Sequence, residues 1–183
     1  MDNVARYFEA LVNVPHRVLG KRLEPFCLLH VLWLEQLRSP LLLTSETLKM
    51  ADVELAALIC SSRTSEEILT KIKEPRRLWR FRNRFRDLTQ EARNFLAYQD
   101  DYCALPEFAE TGGSYHERLP SLLLQAASLI KETGWTDEHV MTLPLGKVIW
   151  FNSAFAYLRT GETSVVSDRE RAAMEALTAL GNS

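Results

Sequence analysis

The chain has 183 residues and a net charge of −2, with 46% hydrophobic and 25% charged residues. That length favours one domain, and a charge so near zero excludes a global pull toward nucleic acid or a membrane surface. Seven glycines and seven prolines are too few for a many-stranded sandwich or barrel full of tight turns. The opening MDNVARYFEALVNV lacks a basic start and a continuous apolar core, so no secretory leader is expected. No run reaches the roughly 18 apolar residues that span a bilayer. Cys27, Cys60 and Cys103, an odd number without close pairs, fit reduced thiols, and the expected location is the cytoplasm.

In chain order, residues 2–13 place Val4, Tyr7, Phe8, Leu11 and Val12 on one stripe behind Asp2, which predicts an amphipathic helix stopped near Pro15. Residues 14–24 read as a turn containing Gly20. Pro25 to Leu37, PFCLLHVLWLEQL, predicts a helix with almost no polar face, opened by its proline and ended by Ser39-Pro40. Such a helix has to be surrounded by other elements. Thr47 to Ser61 predicts a further helix, and Thr64-Ser65-Glu66-Glu67 a capping box opening a short one to about Ile72.

The longest predicted helix runs from Pro75 to about Gln99. Leu78, Phe81, Phe85, Leu88, Ala92, Phe95 and Gln99 alternate steps of three and four, a seam for a partner helix in this chain or another. Residues 100–119 are the one long irregular stretch and are expected as a flexible loop around Gly112-Gly113. Beyond it come a helix from Pro120 to about Thr133, a turn capped by Thr136 and an aromatic-rich helix over 145–160 ended by Gly161. Ser167 and Glu170 open a last helix carrying Ala173, Met174, Leu177 and Leu180. With no repeat and no convincing strand, the expectation is all-α: a single-domain helical bundle of about seven helices over residues 1–183. Helices 25–37 and 145–160 are expected as its two core helices.

The least ordinary feature is an arginine cluster. Lys71, Lys73, Arg76, Arg77, Arg80, Arg82, Arg84 and Arg86 face one acid, Glu74, which makes this window +7 and the remainder of the chain −9. Helical spacing puts Arg77, Arg80 and Arg84 on one face, opposite Phe81 and Phe85, with Trp79 on a flank. Arginine pairs bidentately with phosphate and carboxylate, so the face suits nucleic acid or an acidic protein surface. It equally suits a solvated surface partly neutralised by Asp100, Asp101, Glu107 and Glu110.

Other chemistry is thinly represented. Cys27 and His30 share a helix face but are two ligands in the most apolar part of the chain, and they read as core residues. His16, His30, His116 and His139 sit in no recognisable nucleophile turn, and Glu138-His139 fits a helix start more simply than acid–base catalysis. Gly112-Gly113-Ser114 lacks the lysine of a phosphate loop. No cofactor, no metal and no enzyme activity are expected.

Two stretches carry a family resemblance. Gly20-Lys-Arg-Leu-Glu-Pro-Phe26, Leu29-His30, Ser39-Pro40 and a helix closing on Ile59-Cys60-Ser61 resemble small helical proteins of bacteriophage tail gene clusters. Gly134-Trp135-Thr136, an acidic pair, Leu143-Pro144-Leu145 and an aromatic helix with Tyr157 resemble the end of tail assembly chaperones. The resemblance covers about half the chain and implies a non-enzymatic assembly factor in the host cytoplasm. Such proteins bind the helical tape-measure protein and often self-associate. Composition and periodicity, not the resemblance, nominate the partner contacts: Arg77, Trp79, Arg80, Arg84, Trp135, Trp150 and Tyr157. The alternative is a nucleic-acid-binding protein using the arginine-rich helix 75–99.

Overall fold

A computed structural model describes residues 14–42, 47–74, 77–103 and 121–161, without the side chains of 77, 78 and 121. The helices expected over 2–13 and after Ser167, and residues 104–119, lie outside the described residues. Those described are mostly helical, in keeping with the all-α expectation, and hold eight helices rather than about seven. These are α1 (Leu28–Gln36), α2 (Met50–Cys60), α3 (Ser65–Lys73), α4 (Arg77–Asn83), α5 (Leu88–Tyr102), α6 (Ser121–Thr133), α7 (Asp137–Thr142) and α8 (Leu145–Thr160). Two arise where the sequence suggests none: the expected helix 75–99 is divided into α4 and α5, and the turn after Gly134-Trp135 closes into α7, with Thr136 accepting from the His139 N–H. No helix among the described residues is long and apolar enough to cross a membrane.

The expected turn at 14–24 is a small hairpin, the one correction to the expected absence of strands. Strands β1 (Arg17–Val18) and β2 (Lys21–Arg22) pair antiparallel. Their two linking residues, Leu19 and Gly20, have φ of 51° and 75°. Positive φ at both positions is the turn whose twist matches the flanking strands. Glycine adopts it freely and leucine does not, which is why the pattern VLGK does not announce a hairpin.

The expected helix 25–37 starts at Leu28 instead of Pro25. Cys27 is extended (φ −135°, ψ 172°) and forms an antiparallel bridge with Pro144, while the Leu145 N–H donates to the Phe26 carbonyl at 2.9 Å. At the other end the Ser39 N–H reaches the Leu34 carbonyl and the Arg38 N–H that of Glu35, both at 2.9 Å, with Arg38 at φ 49°. That pair of bonds satisfies carbonyls the helix end would otherwise orphan.

The chain segments entering α1 and α8 thus lie side by side, but the helices themselves choose other partners. Helix α1 packs on α2 and α7, and α8 packs chiefly on α6. The Asn152 amide donates to the Gln125 carbonyl at 2.9 Å, and Arg159 meets Glu132 at 3.0 Å. The two expected core helices are therefore centres of two neighbouring packings. An aromatic cluster joins α5 to the segment entering α1: the Tyr98 ring contacts Phe26, Phe95 and Tyr102 with centroids 5.5 to 5.6 Å apart, and its hydroxyl donates to the Glu24 carbonyl at 2.7 Å.

The expected helix 75–99 is two helices. Asp87 (φ −74°, ψ 112°) accepts from the N–H groups of Thr89 and Gln90, making it the N-cap of α5. Just before it, the Phe85 and Arg86 N–H groups close onto the carbonyls of Arg82 and Asn83, three residues back, so the helical ladder ends there. The seam is cut with it: Ala92 and Phe95 are buried, whereas Phe81 and Phe85 are exposed. Residues 100–102, expected as the start of a loop, are the last turn of α5.

Leu34 is fully buried in α1, while Leu32 is only half-buried. Leu34→Ala is expected to lower unfolding stability by about 2–5 kcal/mol, and Leu32→Ala by clearly less, in matched denaturant titrations.

Candidate functional site

Helix α4 has seven residues, too short to stand without outside support. Its support is polar and comes from the hairpin. The indole N–H of Trp79 donates to the Leu19 carbonyl at 3.4 Å. The Leu19 N–H donates to Glu91 Oε2 at 2.7 Å, and Glu91 Oε1 accepts from Arg86 at 2.5 Å. Both backbone polar groups of Leu19 are thereby satisfied by the helices flanking the break. Arg86 also passes so close to Gly20 that an added Cβ would stand 3.3 Å from its Nη2. Lys21 lies over the Trp79 ring, 5.1 Å from its centroid.

A second anchor sits at the end of α4. Asn83, almost fully buried, donates to Glu54 Oε1 of α2 at 3.0 Å, and Arg80 approaches Glu54 Oε2 at 3.8 Å. Arg80, Arg84 and Arg86 line a cleft of about 430 Å³ together with Met50, Glu54 and Leu88. Glu54 faces Arg80 there and Glu91 holds Arg86, so the remaining positive charge of the cleft is that of Arg84. Arg82 and Arg84 are exposed, and among the described residues neither has a carboxylate within 4.0 Å.

Phe81 follows Arg80 by one residue, about 100° around the helix, so the apolar pair is a neighbour of the arginine row and not, as expected from the sequence, opposite it. Phe81 is 55% exposed and Phe85 79%, and the two rings meet edge to face with centroids 5.4 Å apart. The sequence pattern places them inside a buried seam; the Asp87 cap turns them outward. The signal that reveals this is local: Asp87-Leu-Thr-Gln-Glu91 is itself a helix start. Arg86 belongs to the arginine cluster, but no local signal marks Glu54 and Asn83, which meet across 29 residues, or ties Glu91 to Leu19, 72 residues away.

The structure divides the nominated contacts. Arg80 and Arg84 share the cleft, and Trp79 is half-buried against the hairpin. Arg77 opens α4, its side chain lying outside the described residues. Trp135 stacks edge-on with His139 and Phe151, centroids 5.0 and 6.0 Å apart, which fastens the chain around α7 to α8. Trp150 is half-buried and Tyr157 exposed on α8. No described cleft combines residues of α4 with residues of α8. The acids expected to neutralise the arginines divide too: Asp101 lies 2.7 Å from His16 Nε2, and Glu107 and Glu110 fall outside the described residues.

Cys27 and His30 are core residues. Burial pushes the Cys27 thiol up to about 11, so it is protonated near neutrality. His30 Nε2 lies 2.8 Å from the Ser62 carbonyl; a carbonyl only accepts, so the ring proton is on Nε2. Burial pulls this imidazole down to about 4, with Ser62 and Glu24 pulling the other way and Lys71 adding to the fall. Among the described residues no group of three or more His, Cys, Asp or Glu side chains is placed to hold a metal. Glu138 and His139 line a cleft of about 740 Å³ at the first turns of α3 and α7, where Glu66 and Asp137 already face the helix dipoles.

No family model, curated protein or solved structure matches this chain.

Glu91→Ala removes the acceptor for the buried Leu19 N–H and for Arg86, and should cost about 1–3 kcal/mol in urea unfolding. A loss below about 0.5 kcal/mol would mean that the hairpin does not depend on this carboxylate. His30 gives a pH dependence: its pKa is lower folded than unfolded, so between about 6.5 and 4 the unfolded chain binds the proton and stability falls with acidification. Replacing it, as in His30→Leu, should reduce the stability lost between pH 7 and pH 5 by about 2 kcal/mol.

Proposed function

We propose that this protein is a non-enzymatic assembly factor that binds a helical partner protein, and that it acts in phage tail assembly as a chaperone of the tape-measure protein. The observation that carries the binding role is the exposed Phe81–Phe85 pair beside the Arg80/Arg84 row. Aromatic and arginine side chains are the residues that dominate protein interfaces. A stable fold has no use for leaving two phenylalanines in water. The assignment to tail assembly rests on the resemblance in Gly20–Ser61 and Gly134–Tyr157, and places the protein in the host cytoplasm. Arg82 and Arg84, exposed and without a carboxylate within 4.0 Å among the described residues, favour a second reading. On that reading α4 holds the phosphates of a nucleic acid.

Co-expression with the neighbouring tape-measure protein is the direct test. The complex should be recovered in a pull-down, and the tape-measure protein should stay soluble where it aggregates alone. Absence of both effects overturns the assignment. Under the second reading, a generic oligonucleotide binds at low salt, and its affinity drops steeply as salt rises.

A further inference from the structure

We infer that the partner segment is an acidic amphipathic helix, seated with its apolar row on Phe81 and Phe85 and its carboxylate row over the Arg80/Arg84 cleft. This rests on the protein-binding role proposed above and specifies its chemistry. Arg80 and Arg84 are four residues apart and line one cleft, while Phe81 and Phe85 are four apart and touch. The two rows therefore run side by side along α4 and the turn that ends it. A helix whose glutamates or aspartates flank an apolar i, i+4 row presents the matching pair.

Charge chooses this occupant over others. Of the three guanidinium groups in the cleft, Arg80 faces Glu54, which also accepts from Asn83, and Arg86 is held by Glu91. Arg84 has no carboxylate of its own within 4.0 Å among the described residues. An incoming carboxylate thus finds donors that the fold has left available, and a basic segment would be repelled. Met50 and Leu88 give the cleft an apolar floor, which suits the methylene stem of a glutamate. The phenylalanine pair separates a protein helix from a nucleic acid. Arg80 and Arg86 already meet Glu54 and Glu91, so few guanidinium groups remain for successive phosphates, whereas both rings offer apolar surface to an aliphatic row.

The probe is a fluorescein-labelled synthetic peptide of about 20 residues, with leucine at every third or fourth position and glutamate on the adjacent row. Two controls accompany it: the same peptide with lysine for glutamate, and an oligothymidylate of similar length. The acidic peptide should bind by fluorescence anisotropy and weaken about tenfold when salt rises from about 50 to about 500 mM. It should weaken about tenfold or more with Phe81→Ser/Phe85→Ser and with Arg84→Glu. These side chains are exposed, so thermal unfolding of the variants should match that of the parent. If Arg84→Glu disturbs the fold, Arg84→Gln takes its place with the same expected direction. The inference is overturned if the acidic peptide does not bind, if the lysine peptide binds equally, or if the oligonucleotide binds more tightly. A tape-measure complex that survives Phe81→Ser/Phe85→Ser would overturn the docking site alone, whereas no complex with the parent protein overturns the proposed function.

Discussion

The backbone of Leu19 is the point on which the placement of α4 depends. Its N–H is taken by Glu91 of α5, its carbonyl by Trp79 of α4, and its side chain is buried. The backbone there is in the left-handed region at φ 51°, a conformation that costs a branched residue about 1 kcal/mol or more. Two hydrogen bonds and a buried leucine offset that cost. Because the same residue is held from both sides of the α4–α5 break, the break has a fixed geometry. Asn83 on Glu54 supplies the second fixed point. Helix α4 is thus fastened by polar contacts at both ends, with Trp79 also packed on the apolar core, and its Phe81–Phe85 row is left exposed.

The same contacts decide how much of the +7 window the fold neutralises. Among the described residues two carboxylates reach it, Glu54 and Glu91, 8% and 7% exposed, and each meets one arginine. Glu91 also holds a backbone N–H, which fixes it more firmly than a mobile surface acid. Asp101, near in sequence to the acidic run, instead stands beside His16, and Asp87 is committed to capping α5. The arginines left over are those nearest the exposed phenylalanines. Positive potential and apolar surface coincide on α4 because both follow from one local decision, ending the helix at Asn83.

How legible this was depends on how local the deciding interactions are. The helices α1, α3, α6 and α8 follow from periodicity and from stops such as Ser39-Pro40 and Gly161, whose signals lie within a turn of the residues they affect. The capping role of Thr64 was equally open, though Glu67 reaches the Arg63 N–H, one residue before the reciprocal position. Cys27 and His30 were legible as core because no third ligand neighbours them in sequence. What the sequence concealed was non-local. A heptad-like spacing continues straight through 84–87, since Leu88, Ala92 and Phe95 keep phase with Phe81 and Phe85, and only the Asp87 cap distinguishes two helices from one. The hairpin was hidden because Leu19 tolerates positive φ only with the help of Trp79 and Glu91, 60 and 72 residues away.

A straight helix through the break would put Phe81 and Phe85 on the same stripe as Ala92 and Phe95, and burying both rings would gain about 1.5–3 kcal/mol each. The chain forgoes this. In the bent arrangement it gains the Asp87 cap at about 1 kcal/mol, and the hydrogen bonds of Trp79, Glu91 and Asn83 at about 1 kcal/mol apiece. These sums are of similar size, so the bend is affordable without being demanded by stability. Had the pair no use in water, a polar residue at either position would keep every one of those bonds and remove the exposed apolar surface. The aromatic identity of Phe81 and Phe85 is therefore not explained by anything inside the described fold. A partner that covers them recovers the burial that the bend gives up, and the adjacent arginines determine which charge that partner has to bring.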